Sequence, residues 1–228
     1  MPGFDPVWAT ADPIGGWLTR DQGRALWDAA VALPPGARIL EIGSHQGRST
    51  VVLASAAKAA GGSVIAVDPF VSGRLFGGAA TRTVFEKNLA DAGVSDAVRL
   101  EAVRSTELRP GWSTPLAMVY IDGKHDYWTV RDDLRWVEHL APGAPVLVHD
   151  SFSSIGVTLG LLAHVLPGRQ LRYLGRAGSL ARFVVGRPSA RDRLRLVAEL
   201  PWFVRNVAIK IVLRVGRAFG HHSTPDPY

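Results

Sequence analysis

The stretch that decides the fold is residues 37–57, ARILEIGSHQGRSTVVLASAA, whose pattern predicts a short apolar strand, a glycine turn and a helix. The turn carries Gly43 and Gly47. A dinucleotide fingerprint would place further glycines at the positions of His45 and Arg48. The Gly-Lys-Ser/Thr sequence of a phosphate-binding loop is also missing. The turn therefore predicts a nucleotide-like ligand that brings no pyrophosphate close to the backbone.

Outward from this turn, the chain alternates apolar runs with helical patterns. The five apolar runs span residues 37–43, 63–68, 98–103, 116–122 and 144–150. Such near-continuous apolar strands between helices predict a parallel sheet that is covered on both faces. Two later runs, 171–176 and 179–186, are separated by only two residues and predict an antiparallel hairpin. The predicted fold class is α/β: a Rossmann-like, doubly wound, mostly parallel sheet with a C-terminal antiparallel hairpin and helices on both faces.

The pattern divides the chain into three parts. Residues 1–36 are a helical lead-in with a helix over 20–33, and residues 37–187 form the sheet domain. Residues 188–228 are a basic, amphipathic extension, in which Pro201 is expected to divide two helical pieces.

Composition narrows the classes of protein. The net charge is +6, but residues 167–228 hold 12 Lys/Arg against 3 Asp/Glu, so the rest of the chain is slightly acidic. This distribution argues against a protein that binds nucleic acid over its whole surface. The absence of cysteine excludes disulfides and thiolate metal sites. No signal-like start and no spanning apolar run occur, so we expect a cytoplasmic protein.

Polar groups close four of the five apolar runs. They are Glu41, Asp68, Asp122 and the pair His149-Asp150. In an open α/β sheet, ligands bind at the carboxyl ends of the strands, near the point where the strand order reverses. These side chains are therefore the first candidates for a functional site.

The run E-x-G-x-x-x-G, followed by an acid at the end of the second strand, resembles the class I S-adenosylmethionine (SAM)-dependent methyltransferases. The resemblance implies that the glycine turn passes beneath the methionine and ribose of SAM. It also implies that Asp68 accepts from both ribose hydroxyls, which is a charge-assisted contact. The residues assigned to SAM are Glu41, Gly43, Ser44, Gly47, Ser49, Asp68, Ser105 and Asp122.

A second motif predicts a metal site. Neighbouring strands lie about 4.8 Å apart, so Asp122 and Asp150 can converge, and paired carboxylates suit Mg²⁺. The run from IDG-x-H to HD resembles metal-dependent O-methyltransferases of the catechol and antibiotic-sugar types. That resemblance implies His125 as a general base beside a catalytic Asp122, with Mg²⁺ or Mn²⁺ on Asp122, Asp150 and His149. The third ligand stays open between His149, Ser151 and water, because Ser151 stands where many members of that subgroup have Asp or Asn. Strand alternation would also turn His149 away from Asp150.

The predicted function is therefore O-methylation of a sugar or oligosaccharide hydroxyl, for example in a precursor of a methylated mannose or glucose polysaccharide. A catechol- or phenol-type O-methyltransferase is the alternative enzyme. A Rossmann-like protein that binds nucleic acid through its basic C-terminus is the alternative of another class, and the acidic sheet edge argues against it. We also expect a homo-oligomer, with a dimer favoured.

The C-terminal helical pattern has two interpretations. Lys210, Arg214 and Arg217 share one side of the helix. The apolar residues on the other side are Val204, Val207, Ile211, Val215 and Phe219. Either the apolar side packs on this domain or a partner subunit, or the helix makes a peripheral contact with anionic lipid. His221 and His222 follow as an exposed tail or a weak metal site.

Overall fold

The structure, a computed structural model, describes residues 3–72 and 78–218, with side chains up to residue 214. In these residues one seven-stranded sheet has the order β3-β2-β1-β4-β5-β7-β6. The first five strands are parallel, and β7 is antiparallel to both β5 and β6. The strands are β1 Arg38–Ile42, β2 Ser63–Val67, β3 Val98–Glu101, β4 Met118–Ile121, β5 Pro145–Val148, β6 Leu171–Ala177 and β7 Leu180–Val185. The predicted α/β, Rossmann-like fold with its antiparallel hairpin is confirmed.

The helices surround this sheet. They are α1 Phe4–Ala11, α2 Arg20–Val31, α3 Arg48–Lys58, α4 Ala79–Asp91, α5 Ser105–Leu108, α6 Tyr127–Asp133, α7 Ile155–Gly160, α8 Ala190–Val197 and α9 Leu200–Ala218. The start of α2 is a capping box: the Thr19 hydroxyl accepts from the Gln22 N–H, and the Gln22 side-chain oxygen accepts from the Thr19 N–H. Two orphan donors of the first turn are thereby satisfied.

Successive residues of the central parallel strands β1, β2, β4 and β5 enter two different cores. Ile39 and Met118 pack on one face with the N-terminal helices, whereas Leu40 and Val119 pack on the other face around Trp136. The residues of α1 and α2 are part of the first core, which includes the buried side chains Phe4, Trp8, Leu26 and Trp27. Burying an apolar side chain of this size contributes about 1.5–3 kcal/mol, so the N-terminal helices stabilise the same unit as the sheet.

The C-terminal helices differ from expectation at their junction. The two predicted helical pieces are present, but they are divided at residues 198–199 and not at Pro201: α8 ends at Val197 and α9 begins at Leu200, so that Pro201 lies in the first turn of α9. A proline, which lacks a backbone N–H, is tolerated there because an N–H in the first turn of a helix has no acceptor within the helix.

The orientation of α9 also differs from the first interpretation. Val204 and Ile211 are 64% and 57% exposed, so this part of the apolar side does not pack on its own domain. Lys210 instead turns inward, and its Nζ donates to the Ser153 carbonyl at 2.8 Å. The side chains of residues 215–218 and all of residues 219–228, including His221 and His222, lie outside the described part.

The strand order reverses at β1, which has β2 on one side and β4 on the other. The segments that follow β1 and β4 therefore line the switch-point crevice where ligands of open α/β sheets bind. Within the described ranges, no helix has both the length and the apolar character that crossing a membrane requires.

Candidate functional site

The glycine turn lies directly against the end of β4. Gly43 follows β1 with φ +87°, and a Cβ built on it would lie 2.2 Å from the Asp122 carbonyl oxygen. Gly47, with φ +92°, caps the N-terminus of α3. His45 between them is left-handed as well, with φ +45°. Only glycine fits at position 43, because both the conformation and the approach of the neighbouring backbone exclude a side chain.

The Asp68 carboxylate holds the turn from the end of β2. It accepts from the backbone N–H groups of Ser44 at 3.0 Å and His45 at 2.9 Å, and from Phe70 at 2.8 Å. The residue assigned to the ribose hydroxyls therefore lies at the mouth of the turn and fixes its shape.

Glu41 lies beneath the turn and is fully buried. Its carboxylate accepts from the hydroxyls of Ser44 at 3.0 Å, Ser49 at 2.6 Å and Thr50 at 2.5 Å. Burial raises the pKa of Glu41 to about 7, although the three hydroxyl donors partly oppose the increase. Ser44 and Ser49, which were assigned to SAM, thus support the turn through Glu41. Thr50 completes this network and was missed because a helix residue in an apolar run gave no signal.

We expect the stability of the protein to depend on the charge of Glu41. Its folded pKa of about 7 lies above the ordinary value of 4.5. The folded state therefore binds more protons than the unfolded state between these values, and stability falls as the pH rises through that window. Urea unfolding at pH 5 and pH 8 should show the wild type losing on the order of 2–3 kcal/mol relative to Glu41→Gln. Equal pH dependence of the two proteins would contradict this assignment.

Ser105 has a different partner from the hydroxyls that bind Glu41. Its hydroxyl donates to Asp133 Oδ1 in a short hydrogen bond. Asp133 is completely buried on α6, burial raises its pKa to about 7, and its Oδ2 has no hydrogen-bond partner. The sequence carried a signal for Asp133, since it shares the helical spacing of the buried Val130, Leu134 and Val137.

Four side chains converge at the carboxyl ends of β4 and β5. Asp122 and Asp150 follow these adjacent parallel strands, as predicted. His125 Nδ1 lies 3.1 Å from Asp150 Oδ2, and its Nε2 lies 3.5 Å from Asp122 Oδ1. His149 Nδ1 lies 3.3 Å from Asp122 Oδ1 and 3.7 Å from Asp150 Oδ2. The Tyr120 hydroxyl donates to the other Asp122 oxygen at 3.0 Å.

The expectation that His149 faces away from Asp150 is wrong, and the backbone explains why. Asp150 is left-handed, with φ +52°, so the strand alternation ends before it. Both side chains consequently turn towards Asp122. A left-handed non-glycine residue costs on the order of 1–3 kcal/mol, and such residues cluster at functional sites. Ser151, the other candidate third ligand, instead donates its hydroxyl to the Val148 carbonyl.

Gln22 orients His149 from the opposite side, which sequence reasoning missed. Its Oε1 lies 3.2 Å from His149 Nε2, and its Nε2 donates to the Ser179 hydroxyl at 3.0 Å. Because an amide oxygen only accepts, His149 Nε2 carries a hydrogen. In the neutral ring, the lone pair is therefore on Nδ1, which is buried without a hydrogen-bond partner and faces the two carboxylates.

The charges of the cluster are strongly coupled. Burial opposes the charged form of His149, but Asp122 and Asp150 outweigh it and raise the pKa of His149 to about 10. The histidines in turn hold the pKa values of both carboxyl groups below their usual range, despite burial. For His125, burial is likewise outweighed by the two carboxylates, which raise its pKa. In this arrangement the His149 imidazolium balances the negative charge.

The same residues fit a divalent cation. One ligand atom from each of Asp122, His149 and Asp150 lies within 4.8 Å of the others. A histidine that donates through one nitrogen to an amide oxygen and presents its other lone pair to carboxylates has the arrangement found in protein metal sites. Such a cation would replace the imidazolium proton.

Residues 40–151, just under half of the chain, match a family model described as a methyltransferase domain. The matched segment contains the glycine turn and the four converging side chains.

Solved structures share the fold at low sequence identity. An O-methyltransferase from Bacillus cereus in complex with SAH is 20% identical with a TM-score of 0.57, over 81% of this chain and 92% of that chain. The O-methyltransferase TomG from Streptomyces achromogenes, involved in tomaymycin synthesis and in complex with SAM, is 20% identical with a TM-score of 0.55, over 82% and 89%. An rRNA methylase from Streptococcus thermophilus is 13% identical with a TM-score of 0.52, over 76% and 98%. These similarities establish the Rossmann-like methyltransferase fold.

Proposed function

We propose that this chain is a SAM-dependent O-methyltransferase, because residues 40–151 match a family model described as a methyltransferase domain. The observation that carries the proposal is the contact between Gly43 and the Asp122 carbonyl. This contact brings the turn that would hold the methyl donor next to a cluster of two carboxylates and two histidines. The methyl donor and the side chains that would act on the acceptor would therefore lie at the same edge of the sheet.

The donor side of the site has mainly a positioning task. The sulfonium of SAM already activates the methyl group, so the protein aligns it with the attacking oxygen, which can supply on the order of 7–11 kcal/mol. The turn from Gly43 to Gly47 forms the floor. Among residues 3–72 and 78–218, the donor to Asp68 Oδ1 is the Phe70 N–H, and a carboxylate oxygen has a second lone pair that could accept from a ribose hydroxyl.

On the acceptor side, His125 would take the proton from the hydroxyl. It is the more accessible of the two clustered histidines, with a side chain 43% exposed against 3% for His149. Its Nδ1 lies 3.1 Å from Asp150 Oδ2 and its Nε2 lies 3.5 Å from Asp122 Oδ1, so loss of one proton from the ring would leave a basic nitrogen beside the carboxylates. An imidazole that is held by a carboxylate and open to the crevice has the arrangement of a general base.

A divalent metal would be held by Asp122, Asp150 and His149 Nδ1. When bound, it would supply a Lewis acid that lowers the pKa of an acceptor hydroxyl. Carboxylates suit Mg²⁺ and Mn²⁺, and the imidazole ligand adds affinity for a transition metal. A sugar hydroxyl is a poor acid, which favours a saccharide acceptor for a site that combines metal and base. The exposed Trp128, three residues beyond His125, offers a flat apolar face for a sugar ring or a catechol.

Thermal unfolding with SAM, SAH or NAD, each with Mg²⁺, Mn²⁺ or EDTA, tests the proposal. A ligand at about 100 times its dissociation constant adds roughly 2.7 kcal/mol, or about 5–11 °C for a chain of this size. We expect a shift with SAM and SAH and none with NAD. The absence of a SAM shift would reject the methyltransferase proposal.

The metal-dependent shift has its own test. We expect Asp122→Asn to remove the additional shift that Mg²⁺ or Mn²⁺ gives the wild type, because one of the two carboxylate ligands is lost. Asp132→Asn on α6 is the matched control, since Asp132 pairs with Arg131 and lies outside the cluster. An unchanged metal shift in Asp122→Asn would show that the metal binds elsewhere.

Methyl transfer from labelled SAM to a panel of acceptors would identify the substrate class. Mono- and oligosaccharides test the proposed sugar acceptor, and catechols test the alternative. RNA belongs in the panel because an rRNA methylase shares the fold and the C-terminal segment is basic. Labelling of RNA alone would overturn the proposal of a small-molecule or sugar acceptor.

A further inference from the structure

Helix α9 presents an apolar face to solvent. Val204, Ile211 and Val212 are 64%, 57% and 68% exposed, and Ala208 is exposed between them. At 3.6 residues per turn, these four residues cover an arc of about 100°. We call them the apolar stripe. Exposed apolar residues arranged in one stripe of a helix mark an interaction surface, in contrast to apolar residues that are scattered singly.

The opposite face of α9 is fastened to the domain by polar groups. Asn206 is buried, and its Nδ2 donates to the Phe152 carbonyl at 3.1 Å. Lys210 Nζ donates to the Ser153 carbonyl, and the Arg176 guanidinium lies 3.8 Å from the centre of the Trp202 ring. The apolar stripe is therefore held outward by specific contacts on the other side of the helix.

Positive charge flanks the stripe on both sides. Arg205 follows one edge and Arg214 the other, and both are exposed. The two acidic residues of the segment from 187 to 214 do not offset them, because Asp192 pairs with Arg172 and Glu199 pairs with Arg176. Two copies of the chain that met through this face would bring arginines against arginines. An anionic surface complements both the stripe and its edges.

We propose that α9 lies in the plane of an anionic lipid surface, with Val204, Ile211 and Val212 inserted among the acyl chains and Arg205 and Arg214 at the headgroups. An apolar face bordered by long cationic side chains has the composition of an interfacial helix. The binding combines burial of the apolar stripe with attraction between the arginines and anionic headgroups, so it weakens as salt increases.

Co-sedimentation of the full chain with vesicles tests this proposal. We expect binding to phosphatidylcholine vesicles that contain phosphatidylglycerol at about 0.15 M salt, and at least tenfold weaker binding to pure phosphatidylcholine. The double variant Val204→Glu/Ile211→Glu should lose at least tenfold in affinity. Thr83→Glu/Val84→Glu on α4 is the matched control, since it adds the same charge at exposed positions of another helix and should lose much less.

Removing the flanking charges tests the electrostatic part separately. Arg205→Gln/Arg214→Gln should weaken binding to the anionic vesicles by about tenfold or more and reduce its salt dependence. Unchanged thermal unfolding would show that each variant folds. Failure of the wild type to sediment, or equal losses in the stripe and α4 variants, would overturn the proposal. Self-association that the stripe variant abolishes, without vesicle binding, would assign the stripe to a second copy.

Discussion

Gly43→Ala is expected to destabilise the protein by about 2–5 kcal/mol. Two effects add at this position. The left-handed backbone, with φ +87°, costs an L-residue about 1–2 kcal/mol. The new Cβ would also meet the Asp122 carbonyl oxygen at 2.2 Å. Since that atom belongs to the backbone at the end of β4, relief requires the two strand ends to separate, with a cost comparable to overpacking a core.

Urea unfolding of Gly43→Ala and Gly143→Ala isolates the steric effect. Gly143 has φ +88°, nearly the same backbone conformation, but a Cβ at that position meets nothing within 4 Å. The control should therefore lose only the conformational part, about 1–2 kcal/mol. Equal losses in both variants would mean that the contact with Asp122 can relax at no cost. We also expect the SAM-induced thermal shift to disappear in Gly43→Ala and to survive in Gly143→Ala.

His125→Ala should lower turnover by about 10²–10⁴-fold, the usual contribution of a positioned general base. The acceptor would be the most active one in the labelled-SAM panel. Because His125 lies over the carboxylates and not on the glycine turn, the thermal shift with SAM should be unchanged. Loss of methyl transfer with donor binding intact would identify a group that acts on the acceptor.

The control for this variant is His164→Ala. His164 is an exposed histidine outside the cluster, with its ring 5.4 Å from that of Tyr127. It should retain nearly full turnover. A His125→Ala enzyme that keeps more than a tenth of the wild-type rate, or that loses SAM binding in parallel, would show that His125 is not the base.

The fold could be predicted from local pattern because the central strands β1, β2, β4 and β5 are buried on both faces. Such strands appear in the sequence as continuous apolar runs between helices, and the acids that end them therefore stand out. Asp122 and Asp150 were brought together by this reasoning alone, since neighbouring parallel strands end at the same edge. The turn at Gly43 could also be predicted, because two glycines follow the first apolar run at a spacing that differs from the dinucleotide fingerprint.

The rest of the site depends on conformations and distant contacts that local pattern does not contain. The direction of His149 was predicted wrongly because period-two alternation assumes a regular strand, and Asp150 leaves that region of backbone space. The sequence also left open whether Val204 faces the domain or the outside. A helical pattern shows which residues share a face, but it does not show which face the domain uses; in α9 the inward contacts of Asn206 and Lys210 determine that choice.

The bond between Gln22 and His149 sets a limit on how the chain can be shortened. A fragment that begins at residue 37 would keep the glycine turn and every acid at the strand ends. It would nevertheless lose the Gln22 amide oxygen that keeps the hydrogen of His149 on Nε2. Either ring nitrogen of neutral His149 could then carry that hydrogen. The boundary drawn from the sequence pattern before residue 37 thus separates His149, a proposed metal ligand, from the side chain that orients it. The smallest working unit of this protein includes the start of its second helix.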